Sequence, residues 1–225
     1  MEQSLPAAII FDFDGLILDT ETPELRVWQQ FFEEAGGEFD LPGYLGIVGT
    51  YDYEGYQPGA ELAKLTHYTV PEEELTLRVR KESSEIISRE GAMQGVVTLI
   101  AAAKGRGIRI AIGSSSPSNW VCGHLARLGL LDKFDALVTF DDVSASKPSP
   151  EIFLKALTRL GVPADRAIVL EDSQNGVLAA NRAGIRVVAV PNLVTQGQDF
   201  SGAVEVIPSL EVLDLDKYFP EFAGE

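Results

Sequence analysis

Asp12-Phe13-Asp14-Gly15 sets two carboxylates two residues apart. In an extended segment side chains alternate, so both are expected on one side of the chain and close together. Two adjacent carboxylates repel unless a cation binds them or one keeps a proton, so the pair could hold a metal, attack an electrophile or move protons. An isolated pair of this kind also ends strands as an Asx turn. Three further clusters shift the balance toward chemistry. Gly113-Ser114-Ser115-Ser116 offers hydroxyl and N–H groups suited to a tetrahedral anion; Ser114 is assigned to the ligand and Ser116 is expected to cap the following helix. Ser146-Lys147-Pro148 holds a lysine in extended backbone before proline, where its ammonium could recruit an anion and offset the aspartates. Glu171-Asp172 could cap a helix through its dipole or, with Asp12, form an all-oxygen site for a hard cation. Mg²⁺ suits that set, because it takes octahedral oxygen coordination and binds through one or two carboxylates plus substrate phosphate.

Something must bring these clusters together. Each follows, or lies one loop beyond, a short apolar run: Ala7 to Phe11, Ile108 to Ile112, Ala136 to Thr139 and Ala167 to Leu170, with Val187 to Val190 and Val204 to Ile207 as further strands. Apolarity that does not alternate implies strands buried on both faces. Helical patterns between the runs, opening at Ser116-Pro117 and Ser149-Pro150, complete an α/β alternation. The expected fold is a doubly wound parallel-sheet, Rossmann-like core, whose ligands sit beyond the carboxyl ends of the strands.

The first two strands are separated by far more chain than one crossover helix needs. Thr22-Pro23 opens a helix with Leu25, Trp28, Phe31, Phe32 and Ala35 at helical spacing; a Gly/Tyr-rich stretch follows from Gly43 to Gly59, and helical pattern resumes through Glu72 to Ser88. This reads as an α-helical cap at residues 18–89, inserted into a core formed by residues 1–17 and 90–225.

Composition sets bounds. The 225 residues are 45% hydrophobic with a formal net charge of −16, the balance of a globular chain that repels phosphate backbones and anionic lipid surfaces. Nucleic acid and membrane are not expected partners, and an anionic ligand must be held by local cations, N–H groups or a metal. One cysteine, Cys122, excludes an internal disulfide, and the start Met1-Glu2-Gln3-Ser4 has no basic leader, so a cytoplasmic location is expected. His67 and His124 are not spaced with other ligands and read as surface or packing residues, and Asp141-Asp142 reads as a solvated turn.

The four clusters, in this order and with a cap-sized insertion, resemble the motifs of the haloacid dehalogenase-like hydrolase superfamily. The stretches Asp14 to Glu21 and Leu170 to Gly176 are similar to its beta-phosphoglucomutase-like subgroup. The resemblance implies a phosphatase acting on a small phosphate monoester, such as a sugar phosphate, with Mg²⁺ as cofactor. It makes Asp12 the nucleophile that becomes an aspartyl-phosphate, and Asp14 the acid and base that serves the leaving oxygen and then water. It assigns phosphate binding to Ser114, Ser115 and Lys147, and gives Lys147 a catalytic share through charge on the transferring group. Metal binding falls to Asp12, Asp172, Glu171 and the backbone carbonyl of Asp14.

Two departures bear on the choice between phosphatase and phosphosugar mutase. Mutases of this subgroup look for a histidine ten residues beyond Asp14, where this chain has Glu24, and for a basic residue in the Gly46 to Asp52 stretch, which has none. A mutase, and a binding protein that keeps the fold without turnover, stand as the alternatives. Tyr51, Tyr53, Tyr56, Lys64 and His67 are candidates to face the leaving group from the cap, and the oligomeric state is not legible.

Overall fold

The computed structural model describes residues 7–51 and 55–222; Met1 to Ser4 and Tyr53 lie outside the described residues. Six strands form one parallel sheet: β1 (Ala8–Phe11), β2 (Arg109–Gly113), β3 (Ala136–Val138), β4 (Ala167–Glu171), β5 (Arg186–Ala189) and β6 (Glu205–Val206). Their order is β3-β2-β1-β4-β5-β6, so the chain reverses its winding direction between β1 and β4. The expected doubly wound fold is present.

Non-alternating apolarity has the physical meaning assigned to it. Ile9 and Phe11 face one layer, with α5 (Val96–Gly105), α6 (Ser118–Arg127) and α9 (Leu215–Tyr218). Ala8 and Ile10 face the other, with α7 (Glu151–Leu160) and α8 (Gln174–Arg182). Both layers are buried, and each Ile or Leu in them contributes about 1.5–3 kcal/mol of transfer free energy.

Among the described residues, four helices occupy the insertion: α1 (Glu21–Glu34), α2 (Leu41–Ile47), α3 (Pro58–Leu65) and α4 (Glu72–Ile87). They enclose a third apolar cluster built on Val27, Trp28, Phe32, Tyr44, Leu62, Leu75 and Val79, and α4 packs against α1 and α3. Leu18 and Ile87, at the two crossings into this region, belong to the sheet's cluster. α2 overlaps the start of the Gly/Tyr-rich stretch. Asp40 accepts from the Gly43 N–H at 3.0 Å, and that cap starts a helix that Gly43 and Gly46 would otherwise disfavour.

Four local expectations are corrected. α6 and α7 begin one residue after their prolines, with Pro117 and Pro150 at the N-cap rather than at the first helical position. Ser116 does not cap α6: Asp141, from a different loop, accepts from the Ser118 N–H at 2.8 Å. Asp141-Asp142 is therefore more than a solvated turn, since Asp142 also accepts from the Thr139 N–H at 3.0 Å and pairs with Arg159. α1 starts one residue before Thr22, whose N–H donates to Asp19 at 3.0 Å.

Candidate active site

The sheet order explains why distant motifs converge. β1 lies between β2 and β4, with Phe11 level with both Ile112 and Leu170. Asp12, Ser114 and the Glu171-Asp172 pair therefore emerge side by side where three neighbouring strands end. Backbone bonds carry the alignment one residue further, from Asp12 N to Leu170 O at 2.9 Å and from Ser114 N to Val138 O at 3.0 Å. Lys147 arrives from the loop before α7.

Lys147 is 1% exposed, and its ammonium bridges the Asp12 and Glu171 carboxylates, at 2.5 Å to Glu171 Oε1. Burial alone would push that ammonium's pKa down, but the two carboxylates outweigh it and hold it above its ordinary value. Burial raises Asp12 to about 8, with Lys147 pulling against it and Glu171 and Asp14 adding repulsion. Asp172 is pushed well above the usual carboxylate range by burial, then by Asp12, Glu171 and Glu21. Oxygens of Asp12, Glu171 and Asp172 all lie within 4.8 Å of one another. Three buried carboxylates around one ammonium are short of positive charge, and this hard, all-oxygen set fits a divalent cation.

Asp14 does not join that group with its side chain. Its Oδ1 accepts from Trp120 Nε1 at 2.8 Å, and its Oδ2 accepts from the hydroxyls of Ser116 at 2.7 Å and Ser114 at 3.3 Å. The two aspartates thus share no partner: β1 ends at Phe11, and strand alternation does not carry through Asp14. Ser116, expected as a helix cap, serves Asp14 instead. Ser115, read as a phosphate ligand, donates to the Gly49 carbonyl at 2.9 Å.

Asn192, after β5, is a site residue that motif reading missed. Its amide donates to Asp172 Oδ2 at 2.8 Å and to the Gly15 carbonyl at 3.1 Å, while its oxygen accepts from the N–H groups of Val194 and Thr195. All of its hydrogen-bonding capacity is spent, so it fixes Asp172 as a rigid support. Its signal was its position: a polar residue just past a strand's carboxyl end. Two glycines make room for this packing. A Cβ on Gly15, whose φ is +76°, would come within 2.4 Å of Asp172 Oδ2, and one on Gly176 within 1.9 Å of the Glu171 carboxyl carbon.

The insertion faces the site with α1 and the loop after α2. Glu21 and Glu24 are both raised by burial; Glu21 is raised further by Glu24, Asp14 and Asp12, whereas Trp28 and Arg80 moderate Glu24. The α2 end and its loop dock on the core through backbone carbonyls. Gln198 donates to Leu45 O at 2.8 Å, and Asn175 to Gly46 O at 3.1 Å and Val48 O at 2.9 Å, alongside the Ser115 bond to Gly49. Tyr51 belongs to this contact, with its ring 4.4 Å from that of Phe140 and its N–H 3.3 Å from Ser146 Oγ. The other cap candidates among the described residues lie elsewhere. Tyr56 packs on Phe39, Lys64 pairs with Glu61 on the surface, and His67 is exposed. His124 packs against Trp120 and Phe13, as a packing role requires.

No helix of the described residues is long and apolar enough to cross a membrane. A sequence profile described as haloacid dehalogenase-like hydrolase matches residues 9–190. The Bacillus subtilis protein YhcW, named as a candidate phosphatase, is 41% identical over 91% of this chain and 94% of its own length. A Thermotoga maritima protein named phosphorylated carbohydrates phosphatase is 32% identical over 93% of this chain and 98% of its own. The crystal structure of CbbY from Rhodobacter sphaeroides in complex with phosphate superposes with a TM-score of 0.71 at 28% identity, covering 93% of this chain and 96% of that one. With the four motifs gathered at the ends of adjacent strands and a profile match over most of its length, the chain belongs to the haloacid dehalogenase-like hydrolases.

Proposed function

We propose that this hydrolase is a Mg²⁺-dependent phosphomonoesterase acting on a small phosphorylated metabolite, a sugar phosphate in the first instance. The observation that carries the reading is the buried ammonium of Lys147 between Asp12 and Glu171, beside Asp172. In this reading residues 18–89 form the cap, and residues 1–17 and 90–225 the catalytic core. The single cysteine and strongly acidic surface support a cytoplasmic enzyme whose partner is a small molecule rather than nucleic acid.

Asp12, Asp172 and Glu171, with the backbone carbonyl of Asp14, would hold the ion. When bound, it neutralises charge on the phosphoryl oxygens. Lys147 orients Asp12 and favours its ionised form, the form that attacks phosphorus in line with the departing oxygen. Ser114 N is committed to the sheet, whereas its hydroxyl stands between Asp14 and Ser116 N, where it can turn to a phosphoryl oxygen. Asp14 protonates the leaving oxygen, then takes a proton from the water that releases phosphate. The docked loop from Leu45 to Tyr51 limits bulk water. Glu21 and Glu24 on the cap side suit hydroxyl groups of the leaving alcohol and offer no positive charge to hold a second phosphate, which favours hydrolysis over mutase chemistry.

Hydrolysis of para-nitrophenyl phosphate and of a phosphosugar panel, with and without EDTA and with Asp12→Asn, tests the reading. Turnover that EDTA and Asp12→Asn each abolish is expected. Phosphosugar binding without turnover, or isomerisation of a hexose 1-phosphate in place of hydrolysis, overturns it.

A further inference from the structure

Asp14 must give up a proton at one atom and in one direction, and its surroundings restrict both. A carboxylate offers about four lone-pair sites, two on each oxygen. Both sites on Oδ2 are met, by Ser116 Oγ at 2.7 Å and Ser114 Oγ at 3.3 Å. One site on Oδ1 is met by Trp120 Nε1 at 2.8 Å. With Ser114 on Asp14 this leaves the second position on Oδ1, and when Ser114 turns to a phosphoryl oxygen Ser116 still holds Oδ2 at 2.7 Å. Trp120 is itself held: it sits on the first turns of α6, packs against the sheet's apolar cluster, and stacks edge-on with His124 at 4.3 Å between ring centroids. An indole N–H on a clamped ring is a directional donor that cannot rotate away as a hydroxyl can.

We infer that Trp120 is a positioning residue for Asp14, fixing the carboxylate so that Oδ1 carries the transferred proton toward the leaving oxygen. The inference rests on the phosphatase reading above and adds a residue that the motifs do not contain. In the first half-reaction an Asp12 oxygen forms a bond to phosphorus while the bond from phosphorus to the leaving oxygen breaks. That electron pair stays on the leaving oxygen, which receives the Oδ1 proton, so Asp14 becomes a carboxylate. In the second half-reaction a water oxygen bonds phosphorus, the bond from phosphorus to Asp12 breaks, and the water's proton returns to Oδ1. Trp120 keeps its own proton throughout and acts through geometry alone.

The leaving group separates this role from general support of the fold. An alkoxide needs the proton in order to depart, whereas para-nitrophenolate departs as a stable anion without it. The test compares kcat/KM, which reports the first half-reaction, for para-nitrophenyl phosphate and for the alkyl phosphate that wild type hydrolyses fastest in a panel. Trp120→Phe keeps an aromatic ring on this turn and removes the donor along with part of the indole's packing. It is expected to lose about tenfold or more on the alkyl ester, within the range of general acid catalysis, and to keep the aryl ester within about twofold. Ser116→Ala, which removes one of the two hydroxyl donors to the other oxygen, is expected to show the same ester-selective loss, and Trp120→Leu, which also lacks the donor, takes the place of Trp120→Phe if that variant does not fold. Equal loss on both esters, or loss on neither, overturns the role of Trp120 while leaving the phosphatase reading intact. A wild type that hydrolyses no alkyl phosphate overturns both.

Discussion

The core side and the cap side of the site are built by opposite means. On the core side, side chains hold side chains: Lys147 grips Asp12 and Glu171, Asn192 grips Asp172, and Trp120 and Ser116 grip Asp14. On the cap side, core side chains hold backbone, with Asn175, Gln198 and Ser115 donating to carbonyls between Leu45 and Gly49. Fixed side chains suit chemistry, which needs atoms placed to a fraction of an ångström. Carbonyl latches release at modest cost and constrain few residue types, which suits a piece that must open for substrate and vary with it. The difference predicts that core-side substitutions damage the metal site or the chemical step, with a loss of stability where a buried charge is left unpaired, while cap-side ones change substrate capture.

Removing Lys147 should strain this division most. Lys147→Ala leaves Asp12 and Glu171 buried without their ammonium, a loss of about 3–5 kcal/mol of stability along with activity. Denaturant unfolding measures it, and the loss should shrink as acid protonates the carboxylates. Next in size is Asn192→Ala, which frees Asp172. Loss of such a support weakens metal affinity by about 10–100-fold, read by calorimetric titration with Mg²⁺, with little change in the fold. Unchanged affinity would place Asn192 outside the working site.

Cap-side effects should be smaller and of a different kind. Asn175→Ala removes two hydrogen bonds worth about 1 kcal/mol each net. It should raise KM by up to about tenfold while kcat stays within about twofold; a fall in kcat alone would erase the contrast drawn above. The last expectation is a slope with pH. Asp12 is raised to about 8 in the fold from its ordinary carboxylate range, so between the two the folded state binds more protons than the unfolded chain. Its contribution is therefore fully present below the unfolded pKa and is lost as pH rises through about 8. Melting of EDTA-treated protein should shift downward over that window, and saturating Mg²⁺ should flatten the trend. A metal-free protein that gains stability across the window would contradict the crowding of carboxylates described here.

Sequence made the core side legible because its chemistry demands particular residue types next to strand ends. Asp12, Ser114, Lys147, Glu171 and Asp172 all follow from apolar runs with polar tips, and the run boundaries fall within a residue or two of the strands. The partners were not legible, because they act through space. Trp120 looks like one more apolar residue of an amphipathic helix, and Asn192 lies in a loop with no pattern around it. The role of Ser116 was hidden by a competing one, since Ser before Pro is also a helix start, and the capping that it was expected to supply comes from Asp141. α2 was obscured by Pro42, Gly43 and Gly46, residues that local propensity counts against a helix, although Asp40 carried the signal for its start. Cap contacts made through backbone carbonyls leave no trace on the residues that supply them.

The central claim is that Asp12 takes up phosphorus, and one measurement meets it directly. A single turnover with a phosphate-labelled ester, quenched in acid within the turnover time and mapped by peptide, should place the label on the fragment containing Asp12. Borohydride should reduce that acyl phosphate, and Asp12→Asn should carry no label. Full turnover by wild type with no label at any quench time, together with undiminished turnover by Asp12→Asn, would contradict the account.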